Sequence, residues 1–324
     1  MICIILCAVL IALVLVVSYY TYRVAFYSPK AGRATVDDAM KGQQYEEVAE
    51  NISRISHIMA KIPFEPVTIK SFDGKKLFGR YYHVRDGAPL EILLHGYRSC
   101  AIRDCSGGHA LSRKMGFNAL VIDQRAHGES EDVTITFGIR ERRDCLRWIE
   151  YAASRFGDQT PILLSGLSMG AATVLMTAGL DLPENVVGII ADSPYSAPLA
   201  IIEKVCQDLH YPVALCRPFI RLGARIYGGF SLDECNAKEA VSHARVPILL
   251  IHGEDDRFVP CDMSRQIAAC CASPVTVHTF PGAGHGLSYM VDPLRYERIV
   301  YDFLQTIPAL KSKISEKFIR QLSE

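Results

Sequence analysis

Gly166-Leu167-Ser168-Met169-Gly170 follows the apolar run Pro161-Ile162-Leu163-Leu164-Ser165 and precedes Ala171-Ala172-Thr173-Val174-Leu175-Met176. A buried strand, a sharp turn carrying a serine and a buried helix form the setting in which Gly-x-Ser-x-Gly acts as a nucleophile elbow. Such a turn drives the serine into a sparsely allowed backbone region, and only small flanking residues let neighbouring chain pass close by. The hydroxyl then stands at a helix N-terminus, whose amides favour developing negative charge. Outside that setting the same pattern is only a glycine turn; within it, Ser168 is the candidate nucleophile.

On either side of this stretch, apolar runs alternate with helical patterns. Glu65–Ser71 and Leu77–Val84 flank the hairpin signal Asp73-Gly74. Leu90–Leu94, Ala119–Ile122, Ile162–Leu164, Val186–Ala191, Ile248–Ile251 and Val275–Phe280 are each apolar enough to be buried on both faces. Helical patterns lie near Ser106–Met115, Ile139–Arg155, Met169–Gly179, Ser264–Cys271 and Pro293–Thr306. This rhythm predicts an α/β fold whose parallel sheet is covered on both faces, with its site at the C-terminal ends of the strands. The stretch 196–245 is too long for an ordinary connection and reads as a helical cap inserted over the site.

A serine hydroxyl needs a base, and the base needs a group to hold its tautomer. Among ten histidines, His285 lies in the flexible loop Pro281-Gly282-Ala283-Gly284-His285-Gly286 directly after the last strand-like run. His95, His127 and His252 sit at earlier strand ends and read as structural. The acid should lie between Ser168 and His285, and Asp192, Asp255 and Asp256 all qualify, with Asp192 better suited to capping its loop. The oxyanion hole needs two backbone donors: the amide of Met169 and one from His95-Gly96-Tyr97-Arg98-Ser99, where Gly96 lets the Tyr97 amide turn inward. The Tyr97 ring is a candidate acyl-pocket wall. With no His-x-x-x-His and no Cys-x-x-Cys, no metal site is expected.

Ser71-Phe72-Asp73-Gly74, His95-Gly96-Tyr97, Asp123 to Ser130, Gly166 to Gly170, His252 to Pro260 and Gly282 to Gly286, taken in this order, resemble the α/β-hydrolase superfamily. Within it the chain resembles bacterial membrane-anchored hydrolases related to the catalytic domain of prolyl oligopeptidase and to serine aminopeptidases. The family pattern His-Gly-x-x-Asp-x-x-Val-Pro falls on His252, Gly253, Asp256, Val259 and Pro260, which selects Asp256 as the acid. The resemblance implies a mostly parallel eight-stranded sheet and a cofactor-free serine hydrolase. The expected substrates are esters or thioesters of small to medium acyl groups, with short peptides or aminoacyl amides as the alternative. A non-catalytic binding protein on the same fold is the remaining reading. Unlike in the true oligopeptidases of this resemblance, no β-propeller is expected in this sequence.

The first 22 residues carry no charged side chain, and Ile2–Val17 is continuously apolar, followed by three tyrosines and Arg23. About 20 helical residues span a bilayer core, and tyrosines suit its interface. The expectation is a single-span anchor over 1–22, a linker and amphipathic helix over 23–62, the catalytic domain over 63–310 and a polar C-terminal tail over 311–324, either a surface helix or frayed. The helix is read from Thr35, with Asp38 at capping-box spacing and an apolar stripe running from Tyr45 to Ile62. Arg23, Lys30 and Arg33 after the span, and cysteines without paired spacing, lean towards a cytoplasmic domain, whereas an N-terminal anchor also suits an enzyme held outside; both topologies stay open. Formal net charge is zero, so nothing points to nucleic acid. Expected partners are a small acyl or peptide substrate and the membrane, with oligomeric state undetermined.

Overall fold

A computed structural model describes residues 1–38 and 42–323. Eight strands form one sheet: β1 (Glu65–Lys70), β2 (Lys76–Tyr82), β3 (Leu90–Leu94), β4 (Asn118–Asp123), β5 (Ile162–Leu167), β6 (Val186–Asp192), β7 (Ile248–Gly253) and β8 (Val275–Phe280). Their order is β1-β2-β4-β3-β5-β6-β7-β8. The β1–β2 and β2–β4 pairs are antiparallel, and every pairing from β4 through β8 is parallel. The hairpin at Asp73-Gly74 closes with the Ser71 amide donating to the Lys75 carbonyl, and Gly74 takes φ 85°. Each strand expected from its apolar run is present.

Helices precede and separate these strands: α1 (Ile2–Ala25), α2 (Ala49–Ala60), α3 (Ala101–Asp104), α4 (Ser106–Met115), α5 (Glu141–Phe156) and α6 (Met169–Thr177). The insertion after β6 holds α7 (Pro198–Asp208), α8 (Val213–Ile226) and α9 (Ala237–Val241). The remainder are α10 (Asp262–Cys270), α11 (Ser288–Val291), α12 (Pro293–Gln305), α13 (Pro308–Lys311) and α14 (Glu316–Ser323). Alternate residues of each central strand feed opposite layers of core. Ile92 and Leu94 of β3 pack with Trp148 and Val174, while Leu163, Ile190 and Leu249 pack with Leu111, Val300 and Phe303. Arg125, wholly buried beyond β4, is matched by Asp73, Asp132 and Asp144, which ties the hairpin turn to α5.

Two expectations change. The helix read from Thr35 begins at Ala49. Asp38 accepts from the Thr35 amide (2.6 Å) and hydroxyl (2.9 Å) in an isolated turn, and Gln43–Tyr45 makes one 3₁₀ turn. Gly42 at φ 119° cannot continue an α-helix; residues 39–41 of that expected helix lie outside the described residues. The stretch 196–245 is helical, but α8 braces α1 instead of covering the strand ends. The Thr21 hydroxyl donates to the Phe219 carbonyl (3.0 Å), and a Cβ on Gly223 would stand 2.4 Å from the Ser18 carbonyl oxygen. Of the two readings of the C-terminal stretch, the surface helix is the one seen: α14 lies on the domain, with Leu310, Ile314, Phe318 and Leu322 joining the core beside α12.

α1 is 24 residues long and contains an 18-residue window of mean hydropathy 3.1, long and apolar enough to cross a membrane. Its C-terminal end belongs to the domain. Phe26 is fully buried, edge-on to Phe137 and Phe230, and the Tyr22 and Thr134 hydroxyls lie 2.8 Å apart.

Phe318 is 1 % exposed, so F318A should destabilise the protein by about 3 kcal/mol through the cavity it leaves. Urea unfolding followed by circular dichroism measures this; a change below about 0.5 kcal/mol would mean that α14 is not docked.

Candidate active site

β5 delivers the chain into Ser168 with φ 55° and ψ −114°, a backbone conformation that non-glycine residues rarely hold. Two close approaches enforce it. A Cβ on Gly166 would lie 2.3 Å from the Gly170 carbonyl carbon, and one on Gly170 would lie 2.2 Å from the Leu94 carbonyl oxygen. The Ser168 amide donates to the Asp192 carbonyl (2.8 Å), which pins the turn to the end of β6. The nucleophile candidate is 6 % exposed, at the head of α6.

The loop after β8 brings His285 over it. Nε2 of His285 is 2.9 Å from the Ser168 hydroxyl, and Nδ1 is 2.6 Å from Oδ2 of Asp256. Asp256 leaves the end of β7 buried, whereas Asp255 is exposed. Oδ1 of Asp256 accepts from the amides of Phe258 (2.9 Å) and Val259 (2.7 Å), and His252 Nε2 lies 3.2 Å from Oδ2. Burial pushes this carboxyl upward, but the hydrogen bonds with His252 and His285 outweigh it and hold the pKa at about 2. The group is therefore a carboxylate that fixes which His285 nitrogen faces serine.

The loop after β3 passes beside the nucleophile, since a Cβ on Gly96 would stand 3.4 Å from that of Ser168. The Gly96 amide is taken by Asp104 (2.9 Å), and that of Arg98 by His127 Nε2 (2.9 Å). Between them the Tyr97 amide has no acceptor among the described residues, and neither has that of Met169. Both are free to meet a developing oxyanion. Arg98 sits at φ 49°, a second strained residue in the same few ångströms of structure. The Tyr97 hydroxyl points away, donating to the Ala25 carbonyl at the end of α1 (2.7 Å), although the residue still lines the cavity. His95 and His127 are buried with their rings 4.7 Å apart, and His95 Nε2 accepts from the Gln124 amide. They support the loop from below, as expected.

A cavity of about 740 Å³ opens around Ser168 and His285. Leu93, Leu111, Met115, Ile190 and Val300 give it apolar walls, and Glu91 and Asp192 lie at its floor. Burial raises both floor carboxyls, Asp192 to about 6, while Glu91 accepts from the hydroxyls of Ser112 and Ser165. The roof is not the insertion, which contributes no lining residue among those described. It is the segment after α1, through Gly32, Arg33, Gln44 and Tyr45. The Gln44 side-chain oxygen accepts from the His285 amide (3.1 Å) and the Tyr45 hydroxyl donates to the His285 carbonyl (3.2 Å). No motif marks either residue; their partner is some 240 positions away.

The pattern of the alpha/beta hydrolase family matches residues 92–299 of this chain. The chain belongs to that family. Among its relatives, YqkD of Bacillus subtilis, an uncharacterised protein, is 24 % identical over 229 residues, 70 % of this chain and 75 % of its own. An esterase of Pyrococcus furiosus, Pf2001, superposes with a TM-score of 0.62 at 20 % identity over 78 % of this chain and 93 % of its own. The esterase EaEST of Exiguobacterium antarcticum gives 0.55 at 16 % identity over 74 % and 99 %. These structures share this chain's fold.

The Asp256 carboxyl titrates near 2 in the folded chain and near 3.9 when unfolded. Its stabilisation is therefore complete above about pH 4 and is lost as pH falls through about 2. Wild type should lose about 2 kcal/mol more than D256N between pH 4 and pH 2, measured by urea unfolding. Equal losses would show that the carboxylate is not held as described.

Proposed function

We propose that this hydrolase is a serine esterase acting through an acyl-enzyme. The supporting observation is the unbroken chain from the Ser168 hydroxyl through His285 to Asp256, at 2.9 Å and 2.6 Å. His285 takes the serine proton as Ser168 attacks the acyl carbonyl, and Asp256 stabilises the imidazolium and its orientation. The amides of Tyr97 and Met169 hold the tetrahedral oxyanion. His285 then returns the proton to the leaving alcohol and activates the water that releases the acid. The apolar walls beside Ser168 suit a small to medium acyl chain of an ester or thioester. α1 is read as a membrane anchor, so the enzyme works beside a bilayer.

A fluorophosphonate probe should label wild type and not S168A; equal labelling of the two would end the hydrolase reading. D256N should lower kcat by roughly 10³–10⁴-fold and D255N by less than about threefold; the reverse ranking would reassign the acid. A matched panel of nitrophenyl esters and aminoacyl anilides decides the bond cleaved, with esters expected to turn over faster; faster anilides would make the enzyme an amidase of short peptides.

A further inference from the structure

A second cavity, about 390 Å³, adjoins the first and plays no part in the chemistry above. Arg23, Arg33 and Arg98 all line it, together with Tyr27, Ser28 and His127, and no carboxylate does so among the described residues. Elsewhere, arginines such as Arg80, Arg125 and Arg155 are matched to carboxylates. None of these three forms such a pair among the described residues. The acidic groups whose field reaches Arg33 are committed to other cations: Asp123 to Arg80, Glu129 to Lys30 and Asp132 to Arg125.

The three guanidiniums are held in place by neutral groups. Arg33 donates through Nη1 and Nη2 to the carbonyls of Gly128 (2.9 Å), Ser130 (2.6 Å) and Asp132 (2.5 Å), while its Nε is buried with no partner. Arg98 Nη2 donates to the carbonyls of Val24 and Tyr27, each at 2.9 Å. Arg23 lies 4.1 Å over the Tyr27 ring and donates to the Tyr19 hydroxyl (3.1 Å). His127 is kept neutral by burial and accepts from the Arg98 amide, so it adds no charge. Three cationic residues lining one concavity concentrate positive charge there, and planar guanidinium forks match the oxygens of a tetrahedral anion.

Gly32, Arg33, Ala34 and Arg98 line both cavities, and Arg98 directly follows the oxyanion residue Tyr97. We propose that Arg23, Arg33 and Arg98 form a subsite for the phosphate of a phosphate-bearing acyl ester whose carbonyl lies at Ser168; this substrate class rests on the esterase reading. The phosphate belongs either to a soluble phosphate ester or to a lipid headgroup at the bilayer face, where α1 ends.

The test compares kcat/KM for octanoyl glycerol and octanoyl glycerol phosphate, using the full chain in neutral detergent micelles. Wild type should favour the phosphate ester about tenfold or more. R33Q and R23Q should bring that ratio towards one, and R225Q, on the exposed side of α8, should leave it as in wild type. R23Q guards against loss of fold, because Arg33 also holds three carbonyls; thermal melting of each variant is measured alongside. A wild-type ratio of one or less, or equal losses on both esters in R33Q and R23Q, overturns the subsite. Competitive inhibition by glycerol 3-phosphate assigns a soluble source; inhibition only by micelles containing phosphatidylglycerol assigns a lipid headgroup. If Ser168 takes no fluorophosphonate and no ester is cleaved, the esterase reading has failed. Calorimetric binding of glycerol 3-phosphate or of phosphatidylglycerol micelles then judges the subsite alone: saturable binding lost in R23Q upholds it, and no binding overturns it.

Discussion

The backbone at Ser168 is the constraint on which the rest of the site depends. A non-glycine residue at φ 55° is held there by two contacts with no room to spare, Gly166 on Gly170 and Gly170 on the Leu94 carbonyl. The second contact brings the first turn of α6 against the end of β3. The loop that follows β3 must therefore run beside the nucleophile, and the free amides of Tyr97 and Met169 come to flank the same hydroxyl. Strain of order 1–3 kcal/mol at such a position persists only because the central sheet over-determines it. β5, β3 and β6 are buried on both faces, so they supply that rigidity.

The end of the apolar helix is built into this machinery. Tyr22 and Phe26 lie in the core, the Tyr97 hydroxyl and the Arg98 guanidinium both bind carbonyls at the end of α1, and the following segment roofs the cavity and holds His285 through Gln44 and Tyr45. The loop after β3 and the loop carrying His285 thus rest on the end of α1 and the residues that follow it. The insertion after β6 serves the same end by bracing α1 at Ser18 and Thr21.

Much of this was legible beforehand, for local reasons. An apolar run buried on both faces has few other places to go, so β3 through β7 could be read from Leu90–Leu94 and its counterparts. The nucleophile turn and the His285 loop could be read because glycines and strand ends place them at one edge of the sheet. The acid was ambiguous from spacing alone. Asp255 and Asp256 are neighbours, and only the direction of the chain leaving β7 turns one into His285 and the other into solvent. The helix start was misread because the stripe from Tyr45 to Ile62 looks continuous, while Gly42 and the ties of Gln44 and Tyr45 to His285 divert the chain before Ala49. The cap was misplaced because its length showed an insertion without showing what it would lie against.

The amino-acid order by itself determined the sheet, the serine turn and the candidates for base and oxyanion donors, since each is a matter of periodicity or of turn chemistry within a few positions; for the acid it left a choice of aspartates that only the family resemblance narrowed to Asp256. Only the tertiary structure decided what covers the site, where the insertion packs and which arginines share a cavity. Arg23, Arg33 and Arg98 are scattered over 76 positions and become one basic concavity because α1 docks on the loop after β3. Contacts made across such separations depend on how whole elements stack, which no local pattern encodes.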